Sequence, residues 1–203
     1  MEDKLLKMDP EKREKLINAA LEEFGSHDFD KASTNVIVKK AGISKGLLYH
    51  YFSTKENLFD YLTTFTMEKV ANAIKDGVEW KKADVLQRMA DIVMIKVKII
   101  ESYPHMINFS KKMYAGKSLE EIKDLVEGYM PNIYEDVYRK NIDYGLFRDD
   151  IDVAIAIKSV EFTMDKVSEA TLATFNSPIE FDFNAVITEV NNYLELFRKT
   201  YYK

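Results

Sequence analysis

Only seven glycines and four prolines interrupt the 203 residues of this chain. Both residue types end or kink helices, so their scarcity, beside plentiful Lys, Glu, Leu, Ile and Ala, points to long helices with short joints. An all-α fold is expected. No stretch alternates apolar and polar residues over a useful strand length, and neither G-x-G-x-x-G nor G-x-x-x-x-G-K-[ST] occurs, so nucleotide folds built on parallel sheets find no support. With 46% hydrophobic residues the chain can bury a core as one large domain or two small ones. The absence of cysteine excludes disulfides, thiolate catalysis and Cys-ligated metals, and fits a reducing compartment. No run free of Asp, Glu, Lys and Arg exceeds ten residues, and Met1-Glu2-Asp3-Lys4 lacks the apolar core of a signal peptide. A cytoplasmic location without a membrane partner is expected.

The net charge of -5 argues against a nucleic-acid partner until it is resolved along the chain. Residues 1–30 hold 5 Lys/Arg and 9 Asp/Glu, residues 31–55 hold 5 Lys and no acid, and residues 56–203 hold 19 and 25. The middle segment therefore carries +5 without a carboxylate to repel an anion. Its lysines (Lys31, Lys39, Lys40, Lys45 and Lys55) are interleaved with Ser33, Thr34, Asn35, Ser44, Tyr49, His50 and Tyr51, all able to donate hydrogen bonds to phosphate oxygens. The plainer alternative is a solvated lysine-rich face.

The same region reads as short helices. Asp9 caps and Pro10 opens a first helix over about 10–24, with Leu16, Ile17, Ala20, Leu21 and Phe24 on one face and Gly25 as its stop. Ser33 or Thr34 caps a second, with Val36, Ile37 and Ala41 inward and Gly42 at its end. Ile43 is a buried turn residue, and Ser44 caps a third helix over about 45–51, too short to be stable unless packed. Ser53-Thr54-Lys55-Glu56 has capping-box spacing and opens a fourth. Two helices joined by a tight glycine-containing turn make a helix-turn-helix.

The series Phe29-x4-Thr34, Ile37, Ala41-Gly42-Ile43-Ser44-Lys45-Gly46-Leu47-Leu48-Tyr49-His50-Tyr51-Phe52 and Lys55-Glu56-x-Leu58 resembles the DNA-binding domain of the TetR family of transcriptional regulators, over about residues 9–62. Asp28 stands where that family commonly has Gly, and Val38 where it commonly has Ala. In a helix-turn-helix the second helix of the pair lies in the major groove, so Ser44 to Tyr51 is the expected reading element. Lys45 can reach a guanine edge or a phosphate, Gly46 lets the backbone approach the sugar-phosphate wall, and Leu47 suits a thymine methyl. The resemblance implies that Tyr49 and His50 touch DNA and that Phe52 is core, with Tyr51 open. Ser33, Thr34 and Asn35 at one helix start and Lys55 at another would hold phosphates. Packing remains the alternative for Tyr49 and Leu47, and a spectator role for His50.

Beyond residue 62 the chain reads as further helices, about nine in all, forming an effector-binding and dimerisation domain over 63–203 behind a DNA-binding domain over 1–62. Helix four is expected to reach Trp80. Asp84 caps the next helix, which ends at Tyr103-Pro104, and a short helix runs to Tyr114. Ser118 and Glu121 form a capping box opening a helix through Ile122, Leu125, Val126, Tyr129, Ile133, Val137 and Tyr144, kinked at Pro131. Two amphipathic helices over about 152–174 and 183–201 close the chain. The resemblance implies a four-helix dimer interface from that pair, with Ile157, Met164, Val167, Val190, Tyr193 and Phe197 as candidates. Dimerisation is also required because one short reading helix makes too few contacts for a unique genomic site, and a two-fold dimer implies a palindromic operator. The resemblance further implies a small-molecule effector pocket, for which Tyr103, Phe109, Met113, Tyr134 and Phe162 are candidates. Met and Tyr there would suit a mostly apolar or amphipathic ligand.

No cofactor, metal or catalytic residue is expected. His27, His50 and His105 are scattered, and Gly42-Ile43-Ser44-Lys45-Gly46 matches G-x-S-x-G in spacing but lies in a helical turn without a preceding strand. The chain is therefore read as a non-enzyme, a ligand-responsive repressor binding double-stranded operator DNA as a homodimer. The alternatives are an activator of the same family or a helical adaptor that does not bind DNA.

Overall fold

A computed structural model describes Leu5 and residues 7–81, 83–175 and 181–203. Ten α-helices occur among them: α1 Pro10–Ser26, α2 Thr34–Ala41, α3 Lys45–Phe52, α4 Lys55–Gly77, α5 Val85–Ser102, α6 Met106–Tyr114, α7 Leu119–Tyr129, α8 Ile133–Tyr138, α9 Val153–Thr174 and α10 Phe183–Tyr201. A 3-10 turn, Tyr144–Leu146, and one antiparallel bridge, Phe147 with Tyr202, complete the described structure. The all-α expectation is met. None of these helices is long and apolar enough to cross a membrane.

Most boundaries follow from local capping. Asp9 accepts from Lys12 N, Ser44 from Leu47 N, Asp152 from Ala154 and Ile155 N, and Asp182 from Ala185 N, each satisfying N–H groups that a helix start leaves open. Ser118 and Glu121 form the reciprocal box, Glu121 N to Ser118 Oγ at 3.2 Å and Ser118 N to Glu121 Oε2 at 2.6 Å. The box expected at Ser53 is displaced by one residue. Thr54 Oγ1 accepts from Asn57 N at 3.1 Å, while Ser53 closes α3 with a left-handed φ of 61°.

Several expectations give way. The helix expected to reach Trp80 ends at Gly77, and Ile43 is half-buried, not buried. Gly25 does not stop α1, which continues to Ser26. A Cβ on Gly25 would stand 3.0 Å from both Asn108 Cβ and Phe109 N, so the residue lets α1 and α6 approach closely. Pro131 does not kink one long helix but separates α7 from α8, with Asn132 left-handed at φ 64°. This division raises the helix number above nine and leaves Tyr144 in the 3-10 turn. Val36 is 37% exposed, not inward, because Ile37 and Ala41 already take the buried face of the eight-residue α2.

The chain forms two compact units. The first holds the described residues up to Lys69 together with Ile100–Ile122, the second Val70–Ile99 with Lys123–Lys203. In the first, Leu16, Leu21, Phe24, Ile37, Leu48, Phe52, Leu58 and Phe109 are each at most 1% exposed. Phe24, Phe29 and Phe59 meet with centroids 5.3 to 5.9 Å apart, and Phe59 continues to Phe109 at 5.1 Å. The second unit has its own core, centred on Val85, Leu86, Val160, Val190 and Leu194. There Arg88, 2% exposed, donates from one guanidinium nitrogen to the carbonyls of Asp136, Val137 and Lys140. A cation thus closes the C-terminal end of α8 and satisfies its orphan acceptors.

Candidate nucleic-acid interface

Gly42 carries the turn between α2 and α3 with φ 66°, a left-handed conformation that L side chains resist. After it, α3 divides its eight residues between two faces. Leu48 and Phe52, four apart, are each 1% exposed and anchor the helix on the core. Lys45, Gly46 and His50 are exposed, and Leu47, Tyr49 and Tyr51 are half-buried at the margin. The accessible face carries Lys45, Gly46 and His50 of the expected reading element, and Phe52 is core.

Two contacts fix the helix further. The Tyr49 hydroxyl lies 3.2 Å from Thr34 Oγ1, tying the middle of α3 to the start of α2. Lys45 Nζ sits 6.0 Å from the centre of the Tyr49 ring. Thr34 is only 9% exposed, so its hydroxyl is turned to an internal partner and Asn35 is the outward donor at that helix start. Ser33 is half-buried, makes no side-chain cap, and gives its N–H to Glu23 Oε1 at 2.8 Å. His50 packs edge-on against Tyr51 with centroids 5.3 Å apart.

Lys55 places its ammonium 4.6 Å from the Phe29 ring centre and 3.5 Å from the Asp30 carbonyl. It therefore stands at the start of α4 with a positioned charge. Lys40 pairs with Glu22 at 2.9 Å, and Asp28 takes the Lys112 ammonium at 2.7 Å. The Lys112 hydrogen bond and charge hold the Asp28 carboxyl below its ordinary value, and its φ is not left-handed, so Asp at this position needs no strained backbone. Gly46 is not required by the protein itself: a Cβ there would meet only Ser44 Oγ, at 4.0 Å. Space outside α3 is thus kept clear of a side chain by a residue that weakens the helix.

The other candidate residues fall in different surroundings. Tyr103, Phe109 and Met113 belong to the first unit, where Phe109 is fully enclosed and Met113 is 7% exposed. Tyr103 is half-buried and packs edge-on against Phe65. In the second unit, Tyr134 is half-buried under the Lys123 ammonium at 5.1 Å, and Phe162 is 60% exposed with Lys158 over it at 4.7 Å. Of the dimer candidates, Ile157, Val167, Val190 and Phe197 are at most 8% exposed, inside the unit's own core, and Met164 packs partly buried against it, whereas Tyr193 is 37% exposed. The apolar side chains that α9 and α10 do leave outside are Ile155, Phe162, Tyr193 and Leu196. Sequence spacing marked the stripes but not which residues each stripe spends on its own core.

Residues 16–62 match the family described as bacterial regulatory proteins, tetR family. Over 154 residues the chain is 21% identical to the fatty acid metabolism regulator protein of Bacillus subtilis, covering 74% of this chain and 78% of that one. Over 156 residues it is 24% identical to the HTH-type transcriptional repressor KstR2 of Mycobacterium tuberculosis, covering 75% and 77%. Its fold is similar to the crystal structure of FadR from Bacillus subtilis in complex with stearoyl-CoA, at TM-score 0.61 and 19% identity over 90% of this chain and 96% of that one.

Proposed function

We propose, for a chain that is a TetR-family transcriptional regulator, that it acts as a ligand-responsive repressor: a homodimer that binds a palindromic operator through α3 of each copy and leaves it when a small, mostly apolar effector binds. The family is not enzymatic, and no side chain is assigned a catalytic role. Residues 1–62 are assigned to DNA binding and 63–203 to effector binding and dimerisation, in a protein of the cytoplasm.

One observation carries the reading. The reading helix is held by Leu48 and Phe52 so that Lys45, Gly46 and His50 face outward within an acid-free segment. In this arrangement Lys45 and the margin residues Leu47, Tyr49 and Tyr51 meet base edges or the adjoining backbone. Asn35, Lys55 and the helix starts at Ser33, Thr34 and Ser44 meet phosphates. KstR2 is named a repressor and FadR is seen with stearoyl-CoA; a repressor released by an amphipathic acyl ligand is the corresponding expectation for this chain.

Fluorescence anisotropy on a duplex selected from random sequence, in a series of salt concentrations, tests the assignment. Lys55→Ala weakens binding to selected and unrelated duplexes alike and lowers the salt slope by about 1 per half-site. Lys45→Ala also reduces the preference for the selected sequence, by about 1–3 kcal/mol if the contact is to a guanine. Unchanged affinity and slope in both variants would remove the basis for the assignment.

A further inference from the structure

A helix-turn-helix discriminates between sequences only if its second helix keeps one orientation relative to the first. In this chain α2 and α3 have eight residues each and so are about 12 Å long by the helical rise. A tilt of about 10° at the Gly42 turn would carry the far end of either helix by about 2 Å, more than hydrogen bonds to base edges tolerate. Leu48 and Phe52, each 1% exposed, hold α3 on the core, but apolar burial has no direction of its own. The angle needs a directional contact placed away from the turn.

Thr34 supplies it. It stands at the opposite end of α2 from Gly42, and its Oγ1 lies 3.2 Å from the Tyr49 hydroxyl in the middle of α3. The turn and this hydroxyl pair close a triangle across the motif, and with Thr34 only 9% exposed little water competes for the bond. That end of α2 is itself held. Glu23 of α1, 4% exposed, accepts the N–H of Ser33 at 2.8 Å and lies 3.6 Å from His27 Nδ1. A charge is kept in a core only where hydrogen bonds meet it, and here the hydrogen bond anchors the residue before Thr34. From Tyr49 the constraint passes to Lys45, one turn back on α3, whose ammonium sits 6.0 Å from the ring centre.

We propose that Thr34 is a positioning residue for sequence recognition: its hydroxyl, through Tyr49, sets the orientation of α3 and of Lys45 and acts on sequence preference without touching DNA. The proposal rests on the reading of α3 as the recognition helix. Phosphate contact at this helix start is left to the backbone N–H groups and Asn35.

Anisotropy of the full-length protein on a duplex selected by the wild type from random sequence, and on an unrelated duplex, tests this at a temperature where circular dichroism shows every variant folded. T34V keeps the side-chain shape and removes the hydroxyl. It is expected to lower the preference for the selected duplex about two- to tenfold, the range of one neutral hydrogen bond, with affinity for the unrelated duplex nearly unchanged. T34S retains the preference. In the Y49F background T34V brings no further fall, because the bond is already gone. T34A, measured in the same two backgrounds, replaces T34V should that variant fold poorly. A fall that is equal on both duplexes and adds to that of Y49F would mark a direct phosphate contact and overturn the proposal, as would full preference in T34V; the reading of α3 stands in either case. If the wild type selects no sequence, the reading of α3 falls and the role of Thr34 with it.

Discussion

Gly46 shows how a single residue separates folding from recognition. Glycine near the start of an exposed helix costs up to about 1 kcal/mol relative to alanine, and no protein atom explains its presence, since a Cβ would find only Ser44 Oγ at 4.0 Å. Gly46→Ala is accordingly expected to leave the thermal midpoint unchanged or raised and to weaken operator affinity at least about tenfold. Anisotropy and a melting curve on the same sample check both halves, and retention of full affinity would refer Gly46 to something other than DNA. Gly42 differs, because its φ of 66° serves the turn itself. The sequence already separated the two, with Gly42 ending a helix and Gly46 clearing room for a nucleic-acid backbone. The backbone angle of the one and the empty surroundings of the other supply the physical grounds.

Among elements, the best-read features were those decided within one helical turn. The Ser118 and Glu121 box, the Asp9, Ser44 and Asp84 caps and the bounds of α9 and α10 depend on residues three or four apart. What escaped the sequence depends on partners far along the chain: Gly25 against α6 and Arg88 on the end of α8. The short helix α3 was legible because its motif is compact, whereas the division of the α9 and α10 stripes between core and surface was not, because several apolar positions on one stripe are equivalent until the packing chooses. Asp84 joins both kinds. It caps α5 through Leu86 and Gln87, and it also accepts from the Tyr202 hydroxyl at 2.8 Å and pairs with Arg198 at 2.7 Å. Burial acts to raise its carboxyl, but the Arg198 and Tyr202 hydrogen bonds and the Gln87 N–H outweigh it, so the value lies below the ordinary one. A depressed carboxyl contributes stability above its unfolded value and loses that contribution as pH falls through the folded one. Asp84→Asn should therefore destabilise the protein at pH 7 and flatten part of the acid-side decline below about pH 4. Urea melts across pH test this, and an unaltered pH profile would count against it.

For the molecule as a whole, the open question is what covers α9 and α10. Ile155, Phe162 and Leu196 are 68%, 60% and 56% exposed, and Tyr193 lies nearby on α10 at 37%. An apolar set of this size on one helix pair suits association with a second copy. Ile155→Glu combined with Leu196→Glu is expected to shift the protein toward monomer in sedimentation, to leave the helical content intact, and to weaken operator binding far more than binding to a single half-site. A dimer of undiminished strength would move the interface elsewhere.

The close approach at Gly25 also bears on transplanting the reading head. Because α1 leans directly on Asn108 and Phe109, and residues 100–122 share a compact body with the segment up to Lys69, a chimaera spliced after residue 62 would graft the head onto a foreign support. Its designers would need to carry α6 along, or re-create on the host a helix whose backbone comes as near.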